Sequence, residues 1–400
     1  MEDLLSFLIL IAAGLLLSEL FRRFHLPYVL GLIVAGIIIG PYVLDLFEST
    51  PAIDFIGSVG LVFLMFMAGL EVRISGLAKL SRPVAKLSVI NGLVPFIVGF
   101  LLGIFFGYDP IPSALLGIIF ISSSIAIIIP TLESNNLIHT RLGKTIVTAT
   151  VFEDVFSLIM LSIVLQLVNP TTNIPLPLFY FLVFTAVILL RILIPKVKRL
   201  FFYHLGKRET KFEQELLFIF AILIAAVVVF EILGMHSIIA GFFTGLVLSD
   251  SIRSPILRMK LHAISYGIFI PVFFIVIGAG TDITVFFQAG NALILTIAIV
   301  AGSIISKFAS GWVGGRLNNF NSDESSLIGA STIPQLSTTL AVVFVGLETG
   351  LLDHTLVTAM VVLSVVTTFV GPLLINRFCP KCKLPENKNQ PPAGLIKKKK

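Results

Sequence analysis

Three charged side chains lie inside long apolar runs of the sequence, where a membrane-spanning helix would normally carry none. Glu153 and Asp154 are adjacent near the middle of the run 142–168, and Lys307 lies in the middle of the run 287–314. Ionisable residues at membrane depth are costly, so those that occur mark ion or proton pathways. A buried ammonium also needs a buried partner. The sequence therefore predicts that Lys307 lies close to the carboxylates and that all three residues handle ions or protons.

The two adjacent carboxylates are expected to have different roles. Neighbouring residues on a helix point about 100° apart, so Glu153 and Asp154 cannot be directed at the same atom. Thr150 and Ser157 lie four residues before and three residues after Asp154, which places them on its helix face as candidate oxygen ligands. The alternative for both hydroxyls is a hydrogen bond to a carbonyl of their own helix.

Polar residues and proline interrupt two of the apolar runs. The first interruption is Ser122-Ser123-Ser124, and the second lies between Ser331 and Thr339. Non-helical backbone at membrane depth is tolerated only inside protein or beside water, and transporters use such breaks to bind ions. A simple proline kink, with hydroxyls bonded back to the helix, is the alternative. The residues predicted to line these discontinuous helices are Ser123, Ser124, Pro130, Thr131, Pro334, Gln335 and Ser337.

The composition identifies the elements that must position these residues. Of the 400 residues, 56% are hydrophobic and only 12% are charged, whereas soluble proteins carry about a quarter charged residues. Apolar runs of about 18 or more residues recur and can each cross a bilayer as a helix. We therefore predict an all-α polytopic membrane protein of about 13 spans. The predicted spans lie near 4–21, 28–44, 52–72, 84–106, 111–132, 142–168, 176–195, 213–233, 236–249, 262–281, 287–314, 325–349 and 354–376.

The basic residues predict the orientation of the chain. All 28 Lys and Arg residues except Lys307 fall at one predicted face, which the positive-inside rule makes cytoplasmic. The N-terminus is then outside and the C-terminus inside a multi-pass protein of the plasma membrane. This distribution also removes the reason to expect a nucleic-acid partner, because the charge forms no single patch. The terminal run Lys397 to Lys400 is a candidate contact for anionic lipid, with a solvated tail as the alternative.

The span order indicates an internal repeat. Spans four to six and eleven to thirteen are seven spans apart, so the second set crosses the membrane in the opposite sense and the repeat is inverted. Each set has its interrupted helix in the middle position. We therefore expect two discontinuous helices that cross near Glu153, Asp154 and Lys307.

At these residues the chain resembles the second monovalent cation:proton antiporter family, which includes sodium/proton exchangers and potassium efflux systems. The resemblance covers all the predicted spans. It rests on the order and spacing of His25-Leu26-Pro27, Gly36 to Pro41, Phe66 to Glu71, Ser122 to Leu132, Glu153-Asp154, Gly241 to Ser249 and Lys307.

The resemblance implies roles for three site residues. Asp154 matches the family's ion-binding aspartate, Glu153 the variable position before it, and Lys307 the lysine of the electrogenic members. Gln335 departs from the family, because many members carry an arginine after the proline. No cofactor is implied, and the nucleotide-binding tail of the gated potassium systems is not expected.

The resemblance also implies a homodimer in which a scaffold flanks a moving core. The corresponding division is scaffold and dimerisation helices at 1–83, core at 84–168, a linker helix at 169–212, scaffold at 213–281, core at 282–376 and a disordered basic cytoplasmic tail at 377–400.

The expected activity is exchange of Na⁺ or K⁺ for H⁺ by alternating access, with Li⁺ as a further candidate ion. Asp154 would bind either the cation or a proton, because an ionised carboxylate without either is too costly to move through a low-dielectric gate. Alternatives are a monovalent cation channel or efflux pathway, and a Na⁺-coupled carrier of an organic anion. An enzyme is not expected, since no cluster of His, Cys and Glu has the spacing of a metal site, and the Cys379 and Cys382 pair lacks the further ligands of one.

Overall fold

The computed structural model describes residues 2–24, 27–72, 82–168, 175–204, 212–249, 251–252, 254–286 and 290–379. Within these ranges the regular structure is entirely helical. The helices are α1 (Glu2–Arg23), α2 (Tyr28–Ile39), α3 (Pro51–Glu71), α4 (Arg82–Phe105), α5 (Pro110–Ile121), α6 (Ile125–Ser134), α7 (Arg141–Val168), α8 (Leu176–His204), α9 (Phe212–Ile232), α10 (Ser237–Leu248), α11 (Pro255–Ile264), α12 (Ile270–Ala279), α13 (Ala292–Leu317), α14 (Ser322–Ser331), α15 (Ser337–Glu348) and α16 (His354–Phe378). A π-helical turn, Ser265–Phe269, joins α11 to α12.

The helices confirm an all-α polytopic membrane protein. Ten helical segments of the described chain are long and apolar enough to cross a membrane, and three more apolar helices, α2, α10 and α15, are shorter. Some predicted boundaries were displaced. The second span was predicted to reach residue 44, but α2 ends at Ile39, because Gly40 caps it in an extended conformation and Pro41 cannot continue a helix. The seventh was predicted to end at 195, but α8 continues to His204.

Several sequence predictions concern parts of the chain that lie outside the described ranges. These include most of the basic tail with Cys382 and the terminal lysines, most of the basic stretch between α3 and α4, and the His25-Leu26 pair of the family-like motif. The tail is described only as far as Cys379, which is half-buried.

Glycines allow the close helix packing that surrounds the site. A Cβ at Gly245 of α10 would overlap the Phe66 carbonyl of α3, and a Cβ at Gly69 of α3 would overlap the Phe242 carbonyl of α10. Where lipid replaces water, small residues drive helix association because they let backbones approach closely. Gly69 and Gly245 therefore allow α3 and α10 to pack with their backbones in close contact.

We expect Gly245→Ala to destabilise the protein by about 2–3 kcal/mol, because the added methyl group forces α3 and α10 apart. Gly267→Ala is the matched control, since a Cβ there meets no atom within 4 Å. Thermal melting of the two purified variants measures the difference. Equal melting temperatures would show that α3 and α10 do not depend on this contact.

The two predicted interruptions occur in the helices. Residues 122–124 separate α5 from α6, and residues 332–336 separate α14 from α15. The segments contact each other, because the Ser124 amide donates to the Pro334 carbonyl over 2.6 Å and the Ser123 hydroxyl oxygen lies 2.9 Å from the Thr332 carbonyl. The Ser124 amide and the Pro334 carbonyl, which lie at the two breaks, thus satisfy each other, as irregular backbone at membrane depth requires.

Candidate functional site

Lys307 and the two carboxylates meet beside the helix breaks. Glu153 and Asp154 project from α7, Lys307 projects from α13, and all three are buried. Lys307 Nζ lies 3.1 Å from Glu153 Oε2, and both side chains are 0% exposed. The structure thus selects Glu153, rather than Asp154, as the direct ion-pair partner.

The ammonium group of Lys307 has an acceptor for each of its three N–H bonds. Besides Glu153, it donates to the Ile121 carbonyl over 2.5 Å and to the Ser123 hydroxyl over 2.7 Å. Ile121 is the last residue of α5, where carbonyl groups lack helical partners and the helix dipole favours positive charge. The break after α5 therefore creates part of the lysine site.

Both carboxylate oxygen atoms of Glu153 also face donors. Its Oε1 accepts from Asn91 Nδ2 at 2.7 Å, and its Oε2 accepts from Lys307; the Ser123 hydroxyl lies 2.9 Å from Oε2 and divides its one proton between Glu153 and the Thr332 carbonyl. Ser310 in turn donates to Asn91 Oδ1 over 2.6 Å. Sequence reasoning missed Asn91 and Ser310. The available signals were a lone amide within the apolar run 84–106 and a serine three residues after Lys307.

Asp154 has a different environment. Its carboxyl group is approached by the Thr338 hydroxyl at the start of α15 and by the Ser123 backbone amide at the α5–α6 break. Its Oδ1 nevertheless makes no hydrogen bond to any described residue, and the same holds for the buried Ser124 hydroxyl. Buried polar atoms are normally satisfied, so each exception needs an explanation. These oxygen atoms are of the kind that can hold a small cation or a proton.

Thr150 and Ser157 each donate a hydrogen bond to a carbonyl of their own helix, which was the alternative to a role as ligands. Thr150 donates to the Ile146 carbonyl over 3.1 Å and Ser157 to the Asp154 carbonyl over 2.9 Å, so both hydroxyls cap their own helix. Each oxygen retains lone pairs and could still accept or ligate. A ligand role for either residue remains a prediction.

The remaining predicted lining residues divide into two sets. Pro334 and Gln335 belong to the second break, and the fully buried Gln335 amide donates to the Phe120 carbonyl over 3.3 Å and accepts from Ser303 at 3.4 Å. Pro130 and Thr131 lie within α6 and line a large cavity beside the site. Ser337 begins α15.

Two cavities lie near these elements: one adjoins the helix breaks, and the other adjoins the C-terminal part of α7. The larger, about 910 Å³, lies beside α6 and α16 and is lined by residues that include Tyr28, Glu71, Ile125, Thr131, Leu336 and Phe369. Ile125 and Leu336 directly adjoin the helix breaks. The smaller, about 330 Å³, is lined by Ser162 and Gln166 of α7 and by Glu231, His236 and Glu348. His236 Nε2 lies 3.6 Å from Glu348 Oε2 at this end.

Comparisons with known proteins agree on one family. A family model described as "Sodium/hydrogen exchanger, transmembrane" matches residues 7–380. The chain is 32% identical to "Probable Na(+)/H(+) antiporter 3" of Methanocaldococcus jannaschii, covering 94% of this chain and 97% of that protein. It is 28% identical to the Na(+)/H(+)-K(+) antiporter GerN of Bacillus cereus, covering 90% and 92% of the two chains.

The fold resembles a solved antiporter. The sodium proton antiporter MjNhaP1 of Methanocaldococcus jannaschii superposes with a TM-score of 0.71 at 17% identity, covering 95% of this chain and 99% of that one. At 17% identity this similarity supports the fold and nothing further.

Proposed function

Because the chain belongs to the sodium/hydrogen exchanger family, we propose that it is a secondary antiporter that exchanges Na⁺ or K⁺ for H⁺. One observation carries the proposal. Asp154 is a buried carboxylate with one oxygen that no described residue hydrogen-bonds, next to a Glu153–Lys307 pair whose charges already neutralise each other. Asp154 is therefore the group whose charge must be balanced by a transported ion.

Coupling follows from the cost of that charge. An ionised carboxylate in a low-dielectric interior is stable only when a cation or a proton neutralises it. If the core moves only when the charge of Asp154 is neutralised, each movement carries either the cation or the proton. Ionised Asp154 without a bound cation does not cross. Because both ions use the same carboxylate, they compete, and competition at one site produces exchange.

The cation would be held by oxygen atoms that surround Asp154. Candidates are Asp154 Oδ1, the Ser124 hydroxyl and the Thr338 hydroxyl, with Thr150 and Ser157 as further hydroxyls on the same face of α7. Such groups replace the hydration shell of a small monovalent cation. The positively polarised N-termini of α6 and α15 lie at the breaks and help to balance the carboxylate when no cation is bound.

The architecture that we propose is a moving core against a static scaffold. The core comprises 84–168 and 282–376 as inverted repeats with crossing broken helices, the scaffold comprises 1–83 and 213–281, and 169–212 links them. Support comes from the mutual contacts of the two breaks and from the two cavities, one beside the breaks and one beside the C-terminal part of α7. The larger cavity then belongs to the pathway that is open in this conformation.

The membrane setting is part of the same proposal. The distribution of basic residues supports about 13 spans in a plasma membrane, with the N-terminus outside, the C-terminus inside and anionic lipid at the inner face. A homodimer is expected from the resemblance. The larger cavity, whose lining includes Arg22 at the basic end of α1, would face the cytoplasm.

Proteoliposomes that contain a pH-sensitive dye test the function directly. Vesicles are challenged in turn with sodium, potassium, lithium and choline chloride at zero membrane potential. We expect lumenal alkalinisation with at least one alkali cation, because inward cation movement drives protons out, and no change with choline. Cation flux without proton movement would favour a channel, and a requirement for an added organic anion would favour a carrier.

Accessibility of the larger cavity provides a further prediction. In a chain whose Cys379 and Cys382 are replaced by serine, Ala126→Cys should react with a membrane-impermeant thiol reagent from the cytoplasmic side, because Ala126 lines that cavity. Ile128→Cys is the matched control on α6, since Ile128 is fully buried. Reaction of Ala126→Cys only from outside would reverse the proposed orientation.

A further inference from the structure

The amide group of Asn91 occupies the junction of three helices. Asn91 is 0% exposed on α4, which packs against α7 and α13. Its Nδ2 lies 2.7 Å from Glu153 Oε1 on α7, and its Oδ1 lies 2.6 Å from Ser310 Oγ on α13. Both bonds are buried, so neither competes with solvent.

The chemistry of the partners determines how this amide is oriented. An ionised carboxylate can only accept hydrogen bonds, so the NH₂ end of Asn91 must face Glu153. The carbonyl end then accepts from the Ser310 hydroxyl. Reversal of the amide would place Asn91 Oδ1 against Glu153 Oε1, two acceptors with no proton between them.

Two residues on one face of α13 thereby hold both oxygen atoms of Glu153. Lys307 binds Oε2 directly, and Ser310, three residues later, holds Oε1 through Asn91. A carboxylate held at both oxygens cannot rotate about its terminal bond. Lys307 therefore keeps a well-oriented acceptor on Glu153.

This orientation matters because Asp154 is the neighbouring acceptor. Asp154 follows Glu153 directly on α7 and is itself buried, so it is a second carboxylate on the helix that Lys307 contacts. If Glu153 lost its orientation, the ammonium group would gain a competing partner in Asp154. A lysine bound to Asp154 would occupy the carboxylate that a transported cation needs.

We propose that Asn91, oriented by Ser310, is a positioning residue that keeps Lys307 paired with Glu153 and so leaves Asp154 open to the transported cation. The proposal rests on the antiport function proposed above and assigns a role to two residues outside the ion-binding set. Its consequence is specific, because loss of Asn91 weakens cation binding by competition and does not remove a ligand. The apparent KM for the cation should rise while the maximal rate stays nearly unchanged.

The test compares cation dependence of exchange in proteoliposomes for Asn91→Leu, Ser310→Ala and Ser88→Ala. A hydrogen bond to a charged group corresponds to about tenfold in a binding constant, so we expect Asn91→Leu to raise the apparent KM about tenfold, with the maximal rate within about twofold. Ser310→Ala should raise KM by a smaller factor. Ser88→Ala is the control, because Ser88 also joins α4 to α7, through the Ala149 carbonyl at 3.5 Å, but contacts no carboxylate.

A double-variant cycle separates positioning from general packing. With Glu153→Gln present, Lys307 has already lost its charged partner, so adding Asn91→Leu should change KM little further. Fold-changes that multiply would overturn the proposal, as would an unchanged KM in Asn91→Leu or an equal change in Ser88→Ala. If Asn91→Leu fails to fold, Ser310→Ala in the same cycle gives the decisive comparison, because it removes only a hydroxyl.

Failure of this inference can be distinguished from failure of the proposed function. Wild-type vesicles in the same series must exchange an alkali cation for protons. Exchange in the wild type with an unaltered KM in both the Asn91 and Ser310 variants rejects the positioning role alone. Absence of exchange in the wild type with every alkali cation rejects the antiport function and, with it, this inference.

Discussion

Replacing Asp154 with asparagine should reduce cation-driven proton movement by about a hundredfold or more while leaving the fold intact. The amide is nearly isosteric with the carboxyl group, but it can neither take up a proton nor neutralise a cation. Loss of one charge-assisted interaction accounts for about tenfold to a hundredfold, and loss of the exchangeable proton removes the other half of the cycle. Proton flux in reconstituted vesicles measures the effect.

Asp109→Asn is the matched control for that result. Asp109 is an exposed carboxylate directly before α5, so its removal changes the net charge by the same amount without touching the buried site. Normal exchange in Asp109→Asn together with lost exchange in Asp154→Asn locates the effect at the buried position. Retained exchange in Asp154→Asn at the wild-type rate would reject the assignment of this residue.

Replacing Lys307 with alanine should lower the stability of the protein by about 3 kcal/mol. Glu153 would then be a buried anion held only by neutral donors, and breaking a buried ion pair by removing one partner is strongly destabilising. The Ile121 carbonyl and the Ser123 hydroxyl would lose their shared donor at the same time. Thermal melting of the purified variant measures the loss.

The combination of Lys307→Ala with Glu153→Gln should recover part of that stability. A neutral amide at position 153 no longer needs the ammonium group, and Asn91 and Ser123 can still bond to it. Melting temperatures of the two single variants and the double variant give the coupling directly. Losses that simply add would mean that Glu153 and Lys307 are not the stabilising pair.

The charged residues of the site were predictable from the sequence because ionisable residues are rare in membrane-spanning helices. Glu153, Asp154 and Lys307 stand out from apolar runs, and a buried ammonium must have a partner. The sequence could not decide which carboxylate that partner is. The helical offset of about 100° between neighbouring residues guarantees different directions, but only packing determines which direction meets Lys307.

Asn91 and Ser310 show why the rest of the site required a structure. Asn91 is 62 positions from Glu153 and 219 positions from Ser310, and no local pattern joins residues so far apart. Pro130 and Thr131 illustrate a different limit. They were predicted to line a discontinuous helix, and they lie in α6, which is its second half beyond the break, where the Thr131 hydroxyl bonds to the Ile127 carbonyl over 2.7 Å. Proline and hydroxyl residues therefore occur both at a helix break and in the helix that follows it, so their presence alone does not locate the break.

The positions of the helix interruptions were predictable from the sequence, but the contacts that the interrupted segments make were not. Polar residues and proline indicated that residues near 122–124 and 332–336 leave the helical conformation. The contacts of these segments depend on tertiary structure. The Ile121 carbonyl binds Lys307, the Ser123 amide approaches Asp154, and the Ser124 amide binds the opposite break.

The most direct test of cation–proton exchange at Asp154 is uphill proton movement driven by a cation gradient alone. Proteoliposomes are loaded with sodium at equal internal and external pH, with the membrane potential held at zero, and diluted into sodium-free buffer. We predict that sodium leaves, protons enter and the lumen acidifies, and that Asp154→Asn vesicles remain at constant pH. Sodium efflux without acidification in the wild type, or equal acidification in Asp154→Asn, would contradict exchange at this carboxylate.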